Sequence, residues 1–376
     1  MVAMHANQFP ASRPHLGGIE SLRAYAALAV IVFHIIHLAQ FDPPQSLMAL
    51  KWHLGRGVPL FFAVSAFSLA YGYFGRLGEA SQQREFYLRR VFRIAPLYYL
   101  ATFFQLALNY PPMWALHNPI DMLLNLTFLF GLSPNHVEGI ALASWSIGVE
   151  MLFYAILPLV LFLVRDLRSA IIFTVLSSVA AVIYFVVLSG IPGTPPAFIQ
   201  HGFVFNLPYF AFGLLAFFVW KAASPRAFWP VLIGAALGIW ALLWAAGAFG
   251  PFVGTPLGSA VYQTLWGAPL ALMCLALAWR DGPPVSWSVT RFLGKISFSL
   301  YLAHPHVLAM LAATGVYERI QAIPGGTGVR FPMACAVTLI VLVPIAYALY
   351  RLVEAPGMNL GRLAVARLRP APALKG

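Results

Sequence analysis

Residues 21–38 read SLRAYAALAVIVFHIIHL, an apolar run that decides the fold class of the chain. An α-helix needs about 20 largely apolar residues to cross the hydrocarbon core of a bilayer, and this run has nearly that length. It exceeds the apolar part of a signal peptide and lacks a small-residue cleavage site, so the sequence predicts an uncleaved first transmembrane helix. Ionisable groups are costly inside a bilayer, so Arg23 and His34 within this run are functional candidates.

The composition of the whole chain agrees with a membrane protein. Of 376 residues, 61% are hydrophobic and 9% are charged, with a mean hydropathy of +0.80, whereas soluble domains carry about 25% charged residues. The net charge of +12 is spread between apolar runs rather than gathered on one surface, so nucleic acid is not an expected partner. Cys274 and Cys335 lie inside apolar runs, where they act as small packed hydrophobes rather than a disulfide framework.

Ten apolar runs predict an all-α, polytopic integral membrane protein with about ten transmembrane helices. An eleventh run near 120–133 is too short to cross and is predicted to be a re-entrant or interfacial segment. The ten runs lie near 21–41, 57–75, 92–108, 145–164, 169–189, 202–220, 227–248, 258–279, 292–314 and 331–350.

The distribution of positive charge predicts the orientation of these helices. With ten spans, 19 of the 23 lysines and arginines fall on one side, and only Lys51, Arg56, Arg319 and Arg330 fall on the other. Because cytoplasmic loops are enriched in lysine and arginine, both termini are predicted to be cytoplasmic. The chain then divides into an N-terminal tail (1–18), a transmembrane domain (19–356) and a basic C-terminal tail (357–376), which we expect to be attracted to anionic membrane lipids.

Arg23 and His34 are eleven residues apart, so on a helix they lie within about 20° of one face and about 16 Å apart along the axis. This spacing suits a long donor with an anionic head: arginine binds phosphate near the membrane surface, and a deeper imidazole acts as base or nucleophile. The structural alternative is a snorkelling arginine and a histidine that only makes a hydrogen bond within the fold.

Three further segments place polar groups in or beside apolar runs. FYLRRVFRIAPLYYL (86–100) offers Arg90 with Arg93, or Arg89 with Arg93, as a shared basic face for phosphates, although basic residues at a helix end also serve as topology signals. SWSIGVEMLFY (144–154) places Glu150 at a depth similar to that of His34, which predicts a carboxylate–imidazole pair with Tyr154 on the same face. The alternative for Glu150 is a carboxyl group kept neutral by burial.

LGKISFSLYLAHPHVL (293–308) marks a polar path along a late helix through Lys295, Ser297, Tyr301 and His304. His304 and His306 do not have the i, i+4 spacing of a helical metal pair, so no metal site is predicted. A haem protein and a proton-coupled transporter remain alternative classes for the buried polar groups.

The order of these motifs resembles the membrane acyltransferase family three, which includes bacterial O-antigen and exopolysaccharide O-acetyltransferases. The resemblance extends from about Gly18 to Leu360. It rests on six segments in sequence order: GIESLRAYAALAVIVFHII (18–36), GVPLFFAVSAFSLAYGY (57–73), FYLRRVFRIAPLYYL (86–100), SWSIGVEMLFYAILP (144–158), LGKISFSLYLAHPHV (293–307) and YRLVEAP (350–356). In the second segment Ala66 stands where the family usually has glycine, which puts the local packing in question.

The resemblance implies that residues 19–356 form an acyltransferase domain of a bacterial inner membrane. It implies Arg23, His34 and Glu150 as catalytic residues and Arg90 and Arg93 as contacts to acyl-CoA. Lys295 and Tyr301, on the polar path of the late helix, are further candidate contacts to acyl-CoA. Candidate residues lining the active site or the acceptor are Ser65, Trp145, Ser146, Tyr154 and His304. The expected donor is acetyl-CoA or another acyl-CoA, with no permanently bound cofactor. The expected acceptor is a surface or lipid-linked glycan, or alternatively a small hydrophobic molecule such as a macrolide.

Overall fold

A computed structural model describes residues 15–108 and 118–368, and every regular element in these ranges is helical. The α-helices are α1 (Gly17–His37), α2 (Ala49–His53), α3 (Gly57–Tyr73), α4 (Ala80–Leu108), α5 (Pro119–Thr127), α6 (Trp145–Leu163), α7 (Leu167–Ser189), α8 (Pro196–His201), α9 (Phe203–Ala222), α10 (Phe228–Ala248), α11 (Gly250–Val253), α12 (Pro256–Leu265), α13 (Gly267–Ala278), α14 (Ser288–Lys295), α15 (Ser297–Ala313), α16 (Val316–Gln321), α17 (Thr327–Leu349) and α18 (Ala355–Leu368).

Within the described ranges, eight helical stretches are long and apolar enough to cross a membrane. The number is nine if α14 and α15, which meet at a bend of 73°, form one broken span. Helix α4 has 29 residues but is not among these stretches, and its first half carries several charged side chains. The all-α polytopic fold is therefore confirmed, and the number of ten spans stays a prediction.

The surface of the helical bundle is apolar where it would meet lipid. Helix α10 is the clearest case, because Leu237, Trp240 and Trp244 are more than half exposed along its length. Only 6% of the residues in the span that contains α10 are buried inside the protein. Such a helix would expose its side chains unfavourably to water, so it requires a lipid environment.

The segment predicted to be re-entrant or interfacial consists of α5 and a short 3-10 turn, Leu129–Leu132. A capping box between Asn118 and Asp121, with Pro119 as the first helical residue, starts α5. Phe128 then ends the helix in a left-handed conformation. Nine residues rise only about 14 Å, which is less than half of the hydrocarbon thickness, so α5 cannot cross the bilayer.

Close contact between backbones places α1 in the centre of the bundle. Helix α1 packs against α3, α13, α14 and α15. A Cβ atom at Gly18 would lie 2.0 Å from the carbonyl oxygen of Leu277, and one at Gly294 would lie 1.9 Å from that of Glu20. Glycine is thus required at Gly18 and Gly294, where α1 contacts its neighbours. This close packing holds Arg23 and His34 at fixed positions.

Helices α3 and α9 also meet through a glycine, since a Cβ atom at Gly213 would lie 2.2 Å from the carbonyl oxygen of Ala63. Ala66, where the family usually has glycine, is fully buried one turn further along α3. The close approach on this face is therefore made by the glycine of α9 rather than by a glycine of α3.

We expect Gly213→Val to destabilise the protein by about 2 kcal/mol or more, because the new side chain collides with backbone that cannot move away. The measurement is the thermal unfolding temperature of purified protein in detergent. Gly72→Val in α3 is the control, since a Cβ atom there has no neighbour within 4 Å. Equal unfolding temperatures for the two variants would contradict the close α3–α9 contact.

The C-terminal part of the chain continues as a helix. After α17, a π-helical turn (Tyr350–Glu354) leads directly into α18, which packs on α4. Gly357 and Gly361 allow this contact, since Cβ atoms there would lie 2.8 Å from the backbone oxygen and the Cβ of Phe92, respectively. The predicted boundary between residues 356 and 357 thus falls inside α18, while residues 1–14 and 369–376 of the predicted tails lie outside the described residues.

Candidate active site

A cavity of about 310 Å³ lies between α1, α3, α4, α6 and α15. It gathers the polar side chains that the apolar runs would otherwise place in lipid. Its lining residues are Arg23, Val58, Phe61, Phe62, Ser65, Ser68, Leu69, Arg90, Arg93, Ile94, Ser146, Ile147, Glu150, Tyr154, Ser297, Phe298 and Tyr301. Eight of the twelve site residues named from the sequence therefore line a single cavity: Arg23, Ser65, Arg90, Arg93, Ser146, Glu150, Tyr154 and Tyr301.

Three guanidinium groups make this cavity strongly positive. Arg23 donates a hydrogen bond of 2.9 Å to the Ser68 hydroxyl. Arg90 lies over the Tyr73 and Tyr154 rings at 5.7 and 5.8 Å, and its buried Nε has no hydrogen-bond partner in the described structure. Arg93 also lines the cavity. With Glu150 as the only acidic residue of the lining, the cavity can accommodate an anion with several charges.

Glu150 is held by two hydroxyl groups. Ser65 Oγ donates a hydrogen bond of 2.6 Å to Glu150 Oε1, and the Tyr154 hydroxyl donates to the same oxygen. Glu150 and Tyr154 are one helical turn apart on α6, and Ser65 approaches from α3. The predicted common face of Glu150 and Tyr154 is therefore present, and Ser65 lines the site as expected.

His34 does not lie with Glu150, and here the structure corrects the predicted pairing of imidazole and carboxylate. The partner of His34 is His304, whose Nε2 lies 3.1 Å from His34 Nδ1, and their ring centroids are 4.8 Å apart. No hydrogen bond joins His34 and Glu150 in the described part of the chain. Two residues at equal depth on different helices are in contact only if their side chains also project towards each other.

The backbone determines which nitrogen atoms of the two imidazoles carry protons. His304 Nδ1 faces the Tyr301 carbonyl oxygen, which can only accept, so this nitrogen donates. In a neutral ring, His304 Nε2 then has the lone pair and accepts from His34 Nδ1, which also donates to the Val30 carbonyl at 2.9 Å. His34 Nε2 is thereby left with its lone pair, as a base or a nucleophile requires.

Tyr301 connects the positive cavity with the histidine pair. It lines the cavity, and its ring centroid lies 5.6 Å from that of His304. Its hydroxyl group lies 2.8 Å from Ser146 Oγ and donates to the Ala143 carbonyl at 2.9 Å. Tyr301 therefore borders both the positive cavity and the histidine pair.

Four of the sequence-predicted residues do not line the cavity: His34 and His304, which form the pair described above, and Lys295 and Trp145. Lys295 is exposed at the end of α14, with its ammonium group 5.5 Å from the centre of the Tyr350 ring. Trp145 stacks on His201 with ring centroids 4.1 Å apart and does not line the cavity. The 73° bend between α14 and α15 separates Lys295 from Ser297, which does line it.

Some site residues were not selected from the sequence. Ser68 lies one turn after Ser65 on α3, a spacing that could have indicated a shared face. Glu354 is 1% exposed and accepts a 2.7 Å hydrogen bond from Ser299 Oγ, at the end of a π-helical turn. Such turns are frequent at functional sites, and the signal that could have selected Glu354 is its place in the YRLVEAP segment of the family resemblance. The described residues contain no group of three histidine, cysteine or acidic side chains placed to hold a metal ion.

Comparison with known proteins assigns the chain to a family. The family described as an acyltransferase domain, the third of the membrane acyltransferase families, matches residues 16–351. The chain therefore belongs to this family and is a membrane acyltransferase. It is 25% identical over 318 residues to ORF330 of the Acidianus two-tailed virus, a protein whose description names acetyltransferase activity. That alignment covers 79% of this chain and 85% of the viral protein. No solved structure shows a significant match.

Proposed function

We propose that the protein transfers an acetyl group from acetyl-CoA to a hydroxyl group of a lipid-linked or cell-surface glycan. The observation that carries the donor assignment is the convergence of Arg23, Arg90 and Arg93 on one cavity with a single carboxylate. Coenzyme A bears several phosphate groups, and guanidinium groups bind phosphate through paired, charge-assisted hydrogen bonds. The cavity is smaller than a whole acyl-CoA, so part of the donor would extend beyond it.

The distance between the arginine side chains and His34 fits the shape of this donor. Arg23 and His34 are separated by about 16 Å along α1. A long pantetheine arm separates the phosphates of CoA from its thioester. Phosphates bound at Arg23, Arg90 and Arg93 would therefore leave the thioester free to extend past Tyr301 towards His34.

In the proposed reaction, His34 Nε2 removes the proton of the acceptor hydroxyl as the oxygen attacks the thioester carbonyl carbon. The carbon–sulfur bond then breaks, and the CoA thiolate takes the proton back from the imidazolium. If the acyl group is first carried on Nε2, the same lone pair attacks the thioester carbonyl carbon, the carbon–sulfur bond breaks and the CoA thiolate leaves. The acceptor hydroxyl then attacks the acyl-imidazolium, its proton passes to the thiolate, and the bond to Nε2 breaks to restore the imidazole. In both sequences, positive charge on His34 is shared with His304 through the Nδ1–Nε2 hydrogen bond.

The charge asymmetry of the loops supports a bacterial cytoplasmic membrane with both termini on the cytoplasmic side. Cytoplasmic acetyl-CoA would then meet the arginine residues, and the acceptor would come from the other side. The test of the acceptor class compares ester-linked acetyl groups on surface glycans by NMR between a deletion strain and its parent. Loss of glycan acetyl groups supports the proposal, and unchanged glycan esters would overturn it.

Arg93→Met is expected to raise the KM for acetyl-CoA by about 10- to 100-fold, because it removes a charge-assisted contact from a partly buried site. The measurement is the initial rate of CoA release against acetyl-CoA concentration. Arg89→Met is the matched control, since Arg89 lies one turn earlier on α4 and pairs with Glu85 at 2.7 Å, away from the cavity. An equal KM for both variants would contradict donor binding at the arginine cluster.

A further inference from the structure

A second cavity, of about 480 Å³, lies between α5, the 134–140 loop and the start of α8. Its size is within the range of small-molecule sites. Asn118, Asp121 and Asn125 line it from one face of α5, and His136 and Glu138 line it from the loop. No lysine or arginine is among its lining residues, in contrast to the first cavity.

The polar groups of this cavity are amides and carboxylates, and several of them are bonded within the protein. Asn118 Oδ1 accepts from the backbone amides of Ile120 and Asp121, and Asn125 Oδ1 accepts from the Tyr98 hydroxyl and the Ile140 amide. Asp121 is paired with His136 at 2.6 Å, and Glu138 at the rim lies 3.9 Å from His201. The groups that remain exposed to a ligand are the Glu138 carboxylate and the Asn135 amide, with no guanidinium in the lining. They disfavour phosphate and suit an uncharged ligand that can both donate and accept hydrogen bonds. The hydroxyl groups of an uncharged sugar have this property.

The opposite face of α5 is apolar and exposed. Ile120, Leu123 and Leu126 are 61%, 61% and 57% exposed, and none of them lines the cavity. Helix α5 thus presents polar groups to the cavity and apolar groups outward, as a helix at a membrane interface does. A ligand with a sugar part and a lipid part matches both faces.

The wall of the second cavity is connected to the catalytic residues. Glu138 and Ile140 line the second cavity, and Ser146 and Ile147 line the first, so the two cavities border neighbouring stretches of the chain. The Ser144 hydroxyl donates to the Glu138 carbonyl at 3.0 Å. The Tyr301 hydroxyl donates to the Ala143 carbonyl, and the Tyr301 ring packs beside His304.

From this arrangement we infer that the second cavity is the acceptor site and takes the sugar part of a lipid-linked glycan, while its lipid lies along the apolar face of α5. The inference rests on the proposed glycan acetyltransferase function. It adds the location of the acceptor, on the other side of Tyr301 from the arginine residues. Donor and acceptor would then approach His34 from two separate cavities.

Ala197→Trp tests this site, because Ala197 lines the second cavity and a large side chain there fills it. The probe is the pool of lipid-linked saccharides extracted from the source cells, acetylated with radiolabelled acetyl-CoA. We expect kcat/KM for the saccharide to fall about tenfold or more, the equivalent of losing one or two hydrogen bonds, with little change in the KM for acetyl-CoA. Gln200→Trp is the control, since Gln200 is exposed on the same helix and does not line the cavity.

Glu138→Gln provides a second, milder change at the rim of the cavity and is expected to raise the KM for the saccharide. It keeps the test decisive if Ala197→Trp does not fold. Saccharides freed from their lipid by mild acid are expected to be about tenfold poorer acceptors. Equal activity on lipid-linked and freed saccharides would overturn the lipid-linked assignment.

If both cavity variants label the glycan with the same kcat/KM as the unmodified enzyme, the proposed location of the acceptor is overturned. The proposed function then remains intact. Absence of label from glycan with the unmodified enzyme would overturn the proposed function, and this inference with it. The two failures are therefore distinguishable in the same experiment.

Discussion

His34→Ala is expected to lower kcat for acyl transfer by about 10²- to 10⁴-fold, which is the usual contribution of a general base. His34 Nε2 is the one nitrogen of the histidine pair that the described hydrogen bonds leave with an uncommitted lone pair. No other titratable group within this pair can replace it, because His304 is fully buried and both its nitrogens face fixed partners. The measurement is single-turnover acyl transfer with saturating acetyl-CoA.

His37→Ala is the control for this variant, because His37 is on the same helix but is exposed and contacts the Lys51 carbonyl through Nε2. It is expected to keep a rate within about threefold of the unmodified enzyme, as surface substitutions usually do. Near-normal transfer by a folded His34→Ala protein would remove His34 from the reaction and require another base.

His304→Ala is expected to lower kcat by about 10- to 100-fold with little change in the KM for acetyl-CoA. The smaller effect follows because the Val30 carbonyl still orients His34, and what is lost is the second acceptor that shares the charge on the imidazolium. His304→Asn, whose side-chain carbonyl can accept a hydrogen bond, is expected to restore part of the rate. The measurement is a steady-state analysis that separates kcat from KM.

His306→Ala is the matched control for His304→Ala, because it removes the same side chain two residues later on α15. His306 packs against Phe104 with ring centroids 5.4 Å apart, away from His34. If His304→Ala and His306→Ala lowered kcat equally, the effect would come from damage to α15, and the hydrogen bond between the two histidines would have no catalytic role.

The fold could largely be predicted from the sequence because membrane helices are encoded locally. Each apolar run of sufficient length must hydrogen-bond its own backbone in lipid, so runs such as 145–164 and 169–189 closely match α6 and α7. The short run near 120–133 was predicted not to cross, and α5 is indeed only nine residues long. The same local rule does not show whether α4 crosses the membrane, because its charged first half and apolar second half belong to one helix.

The candidate site could be predicted only in part, since contacts between helices depend on their rotation and bending. Counting residues places His34 and Glu150 at similar depth, but it does not show that His34 faces α15 while Glu150 faces Ser65. The sequence places Lys295 and Ser297 on one polar path along a single helix, but the bend at Ile296 separates the two residues. The arginine cluster was easier to predict, because Arg90 and Arg93 are one turn apart on a single helix.

Helix α18 has a consequence for how members of this family can diverge. The family match ends at residue 351, but the chain continues through α18, whose Gly357 and Gly361 pack against Phe92, the neighbour of Arg93. Part of the packing beside Arg93, the residue proposed to bind the donor, therefore comes from residues beyond the matched range 16–351. Substitutions in α18 would therefore alter the surroundings of Arg93 while every side chain that lines the first cavity is retained.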